Sequence, residues 1–509
     1  DGKADLSKGV VIRDKLICPE HGCEYCVRNG WVEYAPALDN LPIFPVLSSI
    51  DEEQSTIHLE IQIPKYPPKR IQPLMVGRVP QDFRKIAIIG NGTAAMGSIE
   101  TLRRLFYTGS IMVFSESNSH PVFRWSLTRT TKLEGSEREI YIRTPKTLND
   151  TDVELRGKEG VNLLEFGDDF GNVKTEEGQS FFFDGGVAAT GSTGHDFLTS
   201  NSFGSNFILL DNINDFKKAE KVLEQSKVVS ISGITLQSLQ LVDSLLRERP
   251  GMTIHLFGKG KGRSALSNLI GEQSEKSIIE ELRKRGVKLH TKHLSEKYER
   301  ENQNDRVVSV HYGSSDSETK SVAADIFYHF EKSKPDTSYI DFAKEREELP
   351  LNRDGQFEVN SQQRTQKKFF YAAGSCSAAA DCNTSHPIIN GGPGNSFYQG
   401  EIAAMGLLGL RFPHNRSNYS SFRILDKTFH QIGVSEYVDK EVVAGSPSDI
   451  AFLRLGFCNG NLVTVFGSEE YSKEIFLIRE AMNSRISLLE VSFRENPAEY
   501  LDRLRQKLE

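Results

Sequence analysis

Lys85-Ile86-Ala87-Ile88-Ile89-Gly90-Asn91-Gly92-Thr93-Ala94-Ala95 is the stretch on which the reading of this chain turns. Ile86–Ile89 is continuously apolar, as a strand buried on both faces requires. A glycine-rich turn follows, and then a helical pattern through about Phe106. In Gly90-x-Gly92-x-x-Ala95 the first glycine permits the tight turn and the second lets backbone approach a pyrophosphate. Ala95 lets helix and strand pack closely. Thr93 and Ala94 open the helix, whose free N–H groups and positive dipole end favour phosphate. A second buried strand, Ile111-Met112-Val113-Phe114, leads to Glu116. That carboxylate lies about 20 residues past the turn, where it would accept from a ribose hydroxyl. The alternative, a packing turn without ligand, is outweighed by four agreeing features of context.

Strand, helix and strand with continuous apolar strands predict a parallel sheet. A second unit begins at Lys227-Val228-Val229-Ser230-Ile231, with a helix over 235–248 and a strand at Thr253–Phe257. Two further strand-and-turn segments are Gly185–Ser192, which includes Thr190 and Gly191, and Thr365–Ser375, which closes on Gly374-Ser375. Small residues at such turns let backbone pass close to a cofactor. The turn of the second unit reads Ser232-Gly233-Ile234-Thr235-Leu236-Gln237. Ile234 puts a β-branched side chain where a pyrophosphate would approach, and Gln237 crowds helix against strand. The following strand ends in Phe257-Gly258 without an acid for a ribose. The Gly258–Arg263 run offers cations to a 2′-phosphate but reads first as a solvated loop. The second unit is therefore expected to keep the fold and to make a poor nicotinamide site.

Outward from these units, 509 residues suggest three or four domains. A net charge of -7 argues against nucleic acid as a partner, and no apolar run is long enough for a membrane span. Residues 1–63 are punctuated by Gly and Pro, with short apolar runs that suit a small β domain. Its last strand, Ile57–Ile63, alternates and is expected to be half-buried. Residues 64–83 are proline-rich and read as an extended linker. Residues 84–206 with 341–417 form one nucleotide-binding domain and 207–340 the second. Residues 418–509 form a mixed α+β domain with a hairpin around Asn459-Gly460-Asn461 and a last helix from Pro497. Residues 296–305 read as a charged loop. Asp1 reads as a trimmed or processed end, with any targeting information outside this sequence; the compartment is not read from it beyond the expectation of an intracellular protein, mitochondrial or cytoplasmic.

Six cysteines do not make a secreted disulfide framework, yet three fall within Cys18–Cys26. Cys18 and His21 form a Cys-x-x-His pair. With Cys23 and Cys26 they could ligate zinc, or the pair could be half of a Rieske 2Fe–2S site, which needs two Cys and two His. Reduced loop thiols are the third reading.

Together these residues resemble the apoptosis-inducing-factor-like flavoproteins of the pyridine nucleotide-disulfide oxidoreductase superfamily that carry an N-terminal Rieske domain. Asp14–Gly22 is similar to the second cluster-binding loop of that family, and Glu33–Pro42 to the segment after it. Gly90, Gly92, Ala95 and Glu116 match its FAD turn and ribose acid. His120–Arg129 resembles the segment Arg-Pro-x-Leu-Ser-Lys near the flavin, with Arg124 retained and Trp125 and Arg129 departing from it. Thr190-Gly191-Ser192 matches an Ala-Thr-Gly turn, while Gly374-Ser375 stands where the family has Gly-Asp. The resemblance implies an α/β fold of two Rossmann-like domains of the FAD/NAD(P) reductase type, a Rieske-like β domain and a C-terminal α+β domain. It implies FAD, NAD(P)H and 2Fe–2S as cofactors. No Cys-x4-Cys redox pair is present, which excludes the disulfide-reductase branch. Two functions follow: electron transfer from NAD(P)H through FAD to 2Fe–2S, or a catalytically inactive subunit of a larger assembly. A zinc-bound interaction module at the N-terminus is a third.

Overall fold

The alternation of side chains along the Lys85–Ile89 strand explains why that strand is apolar throughout. Ile86 and Ile88 pack on one side into a core with Ala94, Ala95, Ile99 and Leu102. Ala87 and Ile89 pack on the other with Met112, Phe114, Leu164, Val173 and Phe183. A computed structural model describes residues 4–51, 56–66, 68, 70–116, 120–193, 204–259, 265–293, 295–301, 306–313, 319–330, 334–340, 349–381, 392–435 and 437–508. The Gly/Lys run from residue 260 to 263 lies outside them.

In chain order, β1 (Val10–Ile12), β2 (Lys15–Ile17), β3 (Glu24–Cys26) and β4 (Val32–Tyr34) form an antiparallel sheet. A separate hairpin follows, β5 (Val46–Asp51) and β6 (Thr56–Ile61). The first nucleotide-binding-type domain has β7 (Lys85–Ile89), α1 (Thr93–Arg104), β8 (Ser110–Ser115), β9 (Glu154–Gly157) and β10 (Gly185–Ala188). The second has β11 (Phe207–Ile208), β12 (Val228–Ser232), α2 (Leu236–Glu248), β13 (Thr253–Lys259), β14 (Lys288–His293) and β15 (Ile326–His329). The chain then returns to the first domain with β16 (Phe370–Ala372) and α3 (Pro393–Leu407). The two parallel sheets run β16-β10-β7-β8-β9 and β11-β15-β12-β13-β14. Each is covered on one face by helices and on the other by a three-stranded antiparallel sheet, at Val161–Phe183 and at Ser295–Ala323. The expected charged loop at 296–305 is thus partly a strand, Ser295–Arg300: Tyr298 stacks edge-on to Phe207, and that contact anchors an otherwise charged run.

The last domain is a five-stranded antiparallel sheet, β17 (Tyr419–Ile424), β18 (Lys427–Gly433), β19 (Lys440–Ser446), β20 (Ala451–Cys458) and β21 (Asn461–Ser468), in the order β17-β18-β21-β20-β19. α4 (Ser472–Asn483) packs on it. Asn459 and Gly460 both have positive φ, 50° and 77°, as a tight two-residue hairpin demands.

The N-terminal sheet is seated on this last domain by buried charge. The Glu24 carboxylate meets Arg416 at 2.7 Å, Arg479 at 3.1 Å and Lys15 at 3.3 Å. Arg143, in the first domain, bridges Asp39 and Glu100. The β5–β6 hairpin differs from expectation. Its second strand was expected to be half-buried, yet every residue of Thr56–Ile61 is exposed, because nothing in the described chain covers either face.

Candidate functional site

Three turns meet at the C-terminal ends of β7, β10 and β16, where an open parallel sheet leaves its ligand crevice. Ala189 N–H donates to Ile89 O at 2.7 Å and Ala373 N–H to Ala188 O at 2.9 Å. Gly90 has φ 111°, and a Cβ there would lie 2.2 Å from the Ala189 carbonyl oxygen. Only glycine fits that position. Gly374, φ 81°, brings the third turn onto α1, since its Cβ would come 3.1 Å from that of Ala94; its N–H donates to Gln399 Oε1 at 2.7 Å. Gly92 caps α1 without any side-chain hydrogen bond, and a Cβ there would meet nothing within 4 Å. Among the described residues there is thus room at Gly92 beside the first turn of α1, Thr93 to Ala95, where helix N–H groups would receive a pyrophosphate. A Cβ at Gly191 likewise meets nothing, and Glu116 is exposed just past β8. The cradle fits the nucleotide half of FAD.

Other residues of the expected flavin set are engaged with protein. Thr190 Oγ1 donates to Asp336 O at 2.6 Å, and the Ser375 carbonyl accepts from Gln356 at 3.2 Å. Arg124 is ion-paired with Asp211 of the second domain and donates to Ser192 O at 2.5 Å. Arg129 stacks on Trp125, 4.0 Å from the ring centroid, and hydrogen-bonds His21 and Ser421. The structure thus gathers Gly90, Gly92, Thr93, Ala94, Ala95, Thr190, Gly191, Gly374 and Ser375 at the sheet end. It sends Arg124 to the domain boundary and Arg129 to the N-terminal loop.

The second turn is built differently. Gly233, φ 95°, keeps the tight bend against the Phe330 carbonyl. The next residues close it. Thr235 Oγ1 accepts from Ser238 N–H at 3.1 Å and Ser238 Oγ accepts from Thr235 N–H at 2.8 Å. This capping box uses up N–H groups that a pyrophosphate would need. Ile234 lies over the end of β13: a Cβ on Gly258 would be 2.5 Å from Ile234 Cδ1. The box is legible in sequence as Thr235-x-x-Ser238 and was missed. The described geometry does not fit a dinucleotide here.

At the N-terminus, Cys18 and Cys23 are buried, and the loop is closed by Gly22 N–H donating to Cys18 O at 2.9 Å. Gly22 packs on the Tyr419 ring, and its carbonyl accepts from Arg479 at 2.8 Å. A hydrogen bond from Cys23, outweighing burial and aided by His21, holds the Cys18 thiol well below its ordinary range. Burial and Arg129 push His21 down. Among the described residues no group of three or more His, Cys, Asp or Glu is arranged to hold a metal ion. Cys18 and His21 supply one of the two Cys/His pairs a Rieske cluster needs, and His21 Nε2 faces a guanidinium. Among the described residues Cys18 and His21 are the one Cys/His pair of this kind.

Residues 84–391 match the pyridine nucleotide-disulphide oxidoreductase family, and the chain belongs to it. Mouse apoptosis-inducing factor 3 is 26% identical over 143 residues, which are 28% of this chain and 23% of that protein. The match thus spans under a quarter of that relative's length. Among solved structures, the covalent putidaredoxin reductase–putidaredoxin complex superposes with a TM-score of 0.69 at 17% identity, over 80% of this chain and 95% of that one. A ferredoxin reductase for the CYP199A2 system from Rhodopseudomonas palustris gives 0.67 at 16%, over 80% and 96%. These likenesses show the FAD/NAD(P) reductase fold that the turns imply. Among the described residues no helix is long and apolar enough to cross a membrane.

Proposed function

We propose that this chain keeps one dinucleotide site, of the flavin type, has closed the nicotinamide site, and serves as an interaction component of a larger assembly instead of an NAD(P)H oxidoreductase. The contrast between two helix N-termini carries this reading. α1 has no side-chain cap and space at Gly92, whereas α2 has a complete capping box beneath Ile234. FAD, when bound, supplies a two-electron redox centre. The chain's part is to hold it: the α1 N–H groups face the pyrophosphate, Glu116 accepts from the ribose, and Ser375 offers one hydroxyl where the relatives by resemblance have a carboxylate. Losing that charged acceptor lowers affinity.

The test is an absorbance spectrum of the purified chain, with NADH and NADPH consumption measured against a one-electron acceptor. We expect NADH and NADPH loss at the protein-free background rate. Turnover in the ordinary range of about 1–1,000 per second would overturn the proposal. The competing reading, NAD(P)H to FAD to 2Fe–2S, is favoured by His21, next to the Cys18 loop, lying against the Trp125 ring at 5.6 Å between centroids. Iron with labile sulfide in the same sample, together with flavin bleaching by NADH, would establish it.

A further inference from the structure

A polar side chain in the middle of a buried helix needs a partner, and Gln399, 3% exposed on α3, finds one in another element. Its Oε1 accepts from the N–H of Gly374, in the third turn, at 2.7 Å. That turn is held from one side by backbone, through Ala373 N–H to Ala188 O at 2.9 Å, and from the other by this amide. Ser377 closes it by donating to Gly374 O at 2.9 Å. Gly374 has φ 81°, so the chain leaves strand geometry here and its N–H must find an acceptor outside the ladder. The helix that carries Gln399 is in turn fixed on α1. A Cβ on Gly400 would collide with Ala94 O, and one on Gly97 with Phe397 O, so the two helices meet backbone to backbone. Ser98 of α1 donates to Gly400 O at 3.0 Å.

We infer that Gln399 is a positioning residue for the flavin nucleotide, setting the third turn at a fixed distance from the N-terminus of α1. The inference rests on the flavin reading proposed above and names the residue that reading leaves out. A cofactor gripped at two places is bound tightly only when both stand at the right separation, and a displacement of about 1 Å is enough to lose one of them. α1 supplies the N–H groups for the pyrophosphate, and the third turn supplies the Ser375 hydroxyl. Both segments touch α3: the glycine at 400 lets α3 approach α1, and the Gln399 hydrogen bond carries that spacing to Gly374. A serine hydroxyl grips less strongly than a carboxylate would, so it has little strength to draw a displaced turn back. The placement of the turn then has to come from the protein.

The experiment titrates FAD into the full chain, stripped of flavin, and follows the quenching of flavin fluorescence. Gln399→Met keeps the volume and removes the acceptor; it should raise the FAD dissociation constant at least ~10-fold. Gln399→Asn, which draws the acceptor back by one methylene, is the milder variant and should raise it at least ~3-fold. Gln399→Glu keeps an acceptor oxygen at the same reach and should stay within about threefold of wild type. Thr464→Val removes a comparable buried hydrogen bond, Thr464 Oγ1 to Ile432 O at 2.9 Å in the C-terminal sheet, and should leave the constant unchanged. That comparison separates placement of the turn from general loss of stability. In the flavin-free proteins, amide exchange across residues 373–377 should be at least ~10-fold faster in Gln399→Met than in wild type. A wild-type chain that takes up no FAD at about 100 µM overturns the flavin reading and this inference with it. FAD binding of wild-type strength in Gln399→Met and Gln399→Asn leaves that reading standing and overturns the inference alone, as does equal weakening by Thr464→Val.

Discussion

At the residue scale, Gly90 and Gly92 belong to one motif and serve different ends. Gly90 is structural: a Cβ would collide with Ala189 O, in a backbone conformation that other residues rarely adopt. Gly90→Ala should cost about 2–4 kcal/mol in urea denaturation. Gly92 sits in extended backbone beside open space. Gly92→Val should leave stability within about 1 kcal/mol and lower flavin content of the purified protein at least ~10-fold, since the side chain fills the cradle. Equal loss of stability in both variants would mean that the whole turn is packing. Two buried histidines add a pH dependence. Burial, with Arg416 nearby, pushes His414 down to about 4, and burial with His290 and Lys288 does the same to His255. Their folded values lie below the ordinary 6.5, so the unfolded chain binds more protons between those limits. Their contribution is complete above about pH 7 and is lost as pH falls toward 4, at most about 3 kcal/mol each. Thermal denaturation across pH 4–8 should show this fall, and His414→Gln should flatten it.

At the element scale, α1 and α2 begin after equivalent strands and end their first turns in opposite ways. An uncapped helix keeps its N–H groups for a ligand; a boxed one has already satisfied them. Ser238→Ala should therefore destabilise the chain by about 1 kcal/mol, read by denaturation, and should not by itself create NADH turnover while Ile234 still covers Gly258. A Ser238→Ala protein of unchanged stability would show that the box carries no weight.

At the scale of the whole molecule, the N-terminal sheet is held by ionic contacts that few elements of a small β domain could supply. Glu24 and Arg479 are each 1% exposed. Burial alone would raise the Glu24 carboxyl, but Arg416, Arg479 and Lys15 hold it down to about 2. Its contribution is present above about pH 4.5 and disappears as pH falls through 2. Glu24→Gln leaves Arg479 buried without its counter-charge and should cost about 3–5 kcal/mol. Limited proteolysis should then release the first ~60 residues earlier than in wild type. Unchanged protease resistance would show that the apolar contacts of Tyr34 and Ile17 suffice.

Periodicity and turn chemistry are local, so the sequence alone determined what depends on neighbours in the chain. The apolar run at Ile86–Ile89, the Gly90–Ala95 turn, the tight bend at Gly233 and the Asn459-Gly460 hairpin were all legible because each follows from φ, side-chain size or a period of two. Tertiary structure decided what depends on residues far apart. Asp211 claims Arg124, His21 claims Arg129, and Arg416 with Arg479 claim Glu24. The alternation at Ile57–Ile63 announced one dry face, but burial is a property of what lies opposite. In the folded monomer nothing described lies there. The capping box at Thr235 stood in plain sequence, but the packing of Ile234 over Gly258 depends on a second strand and is decided only by the tertiary structure.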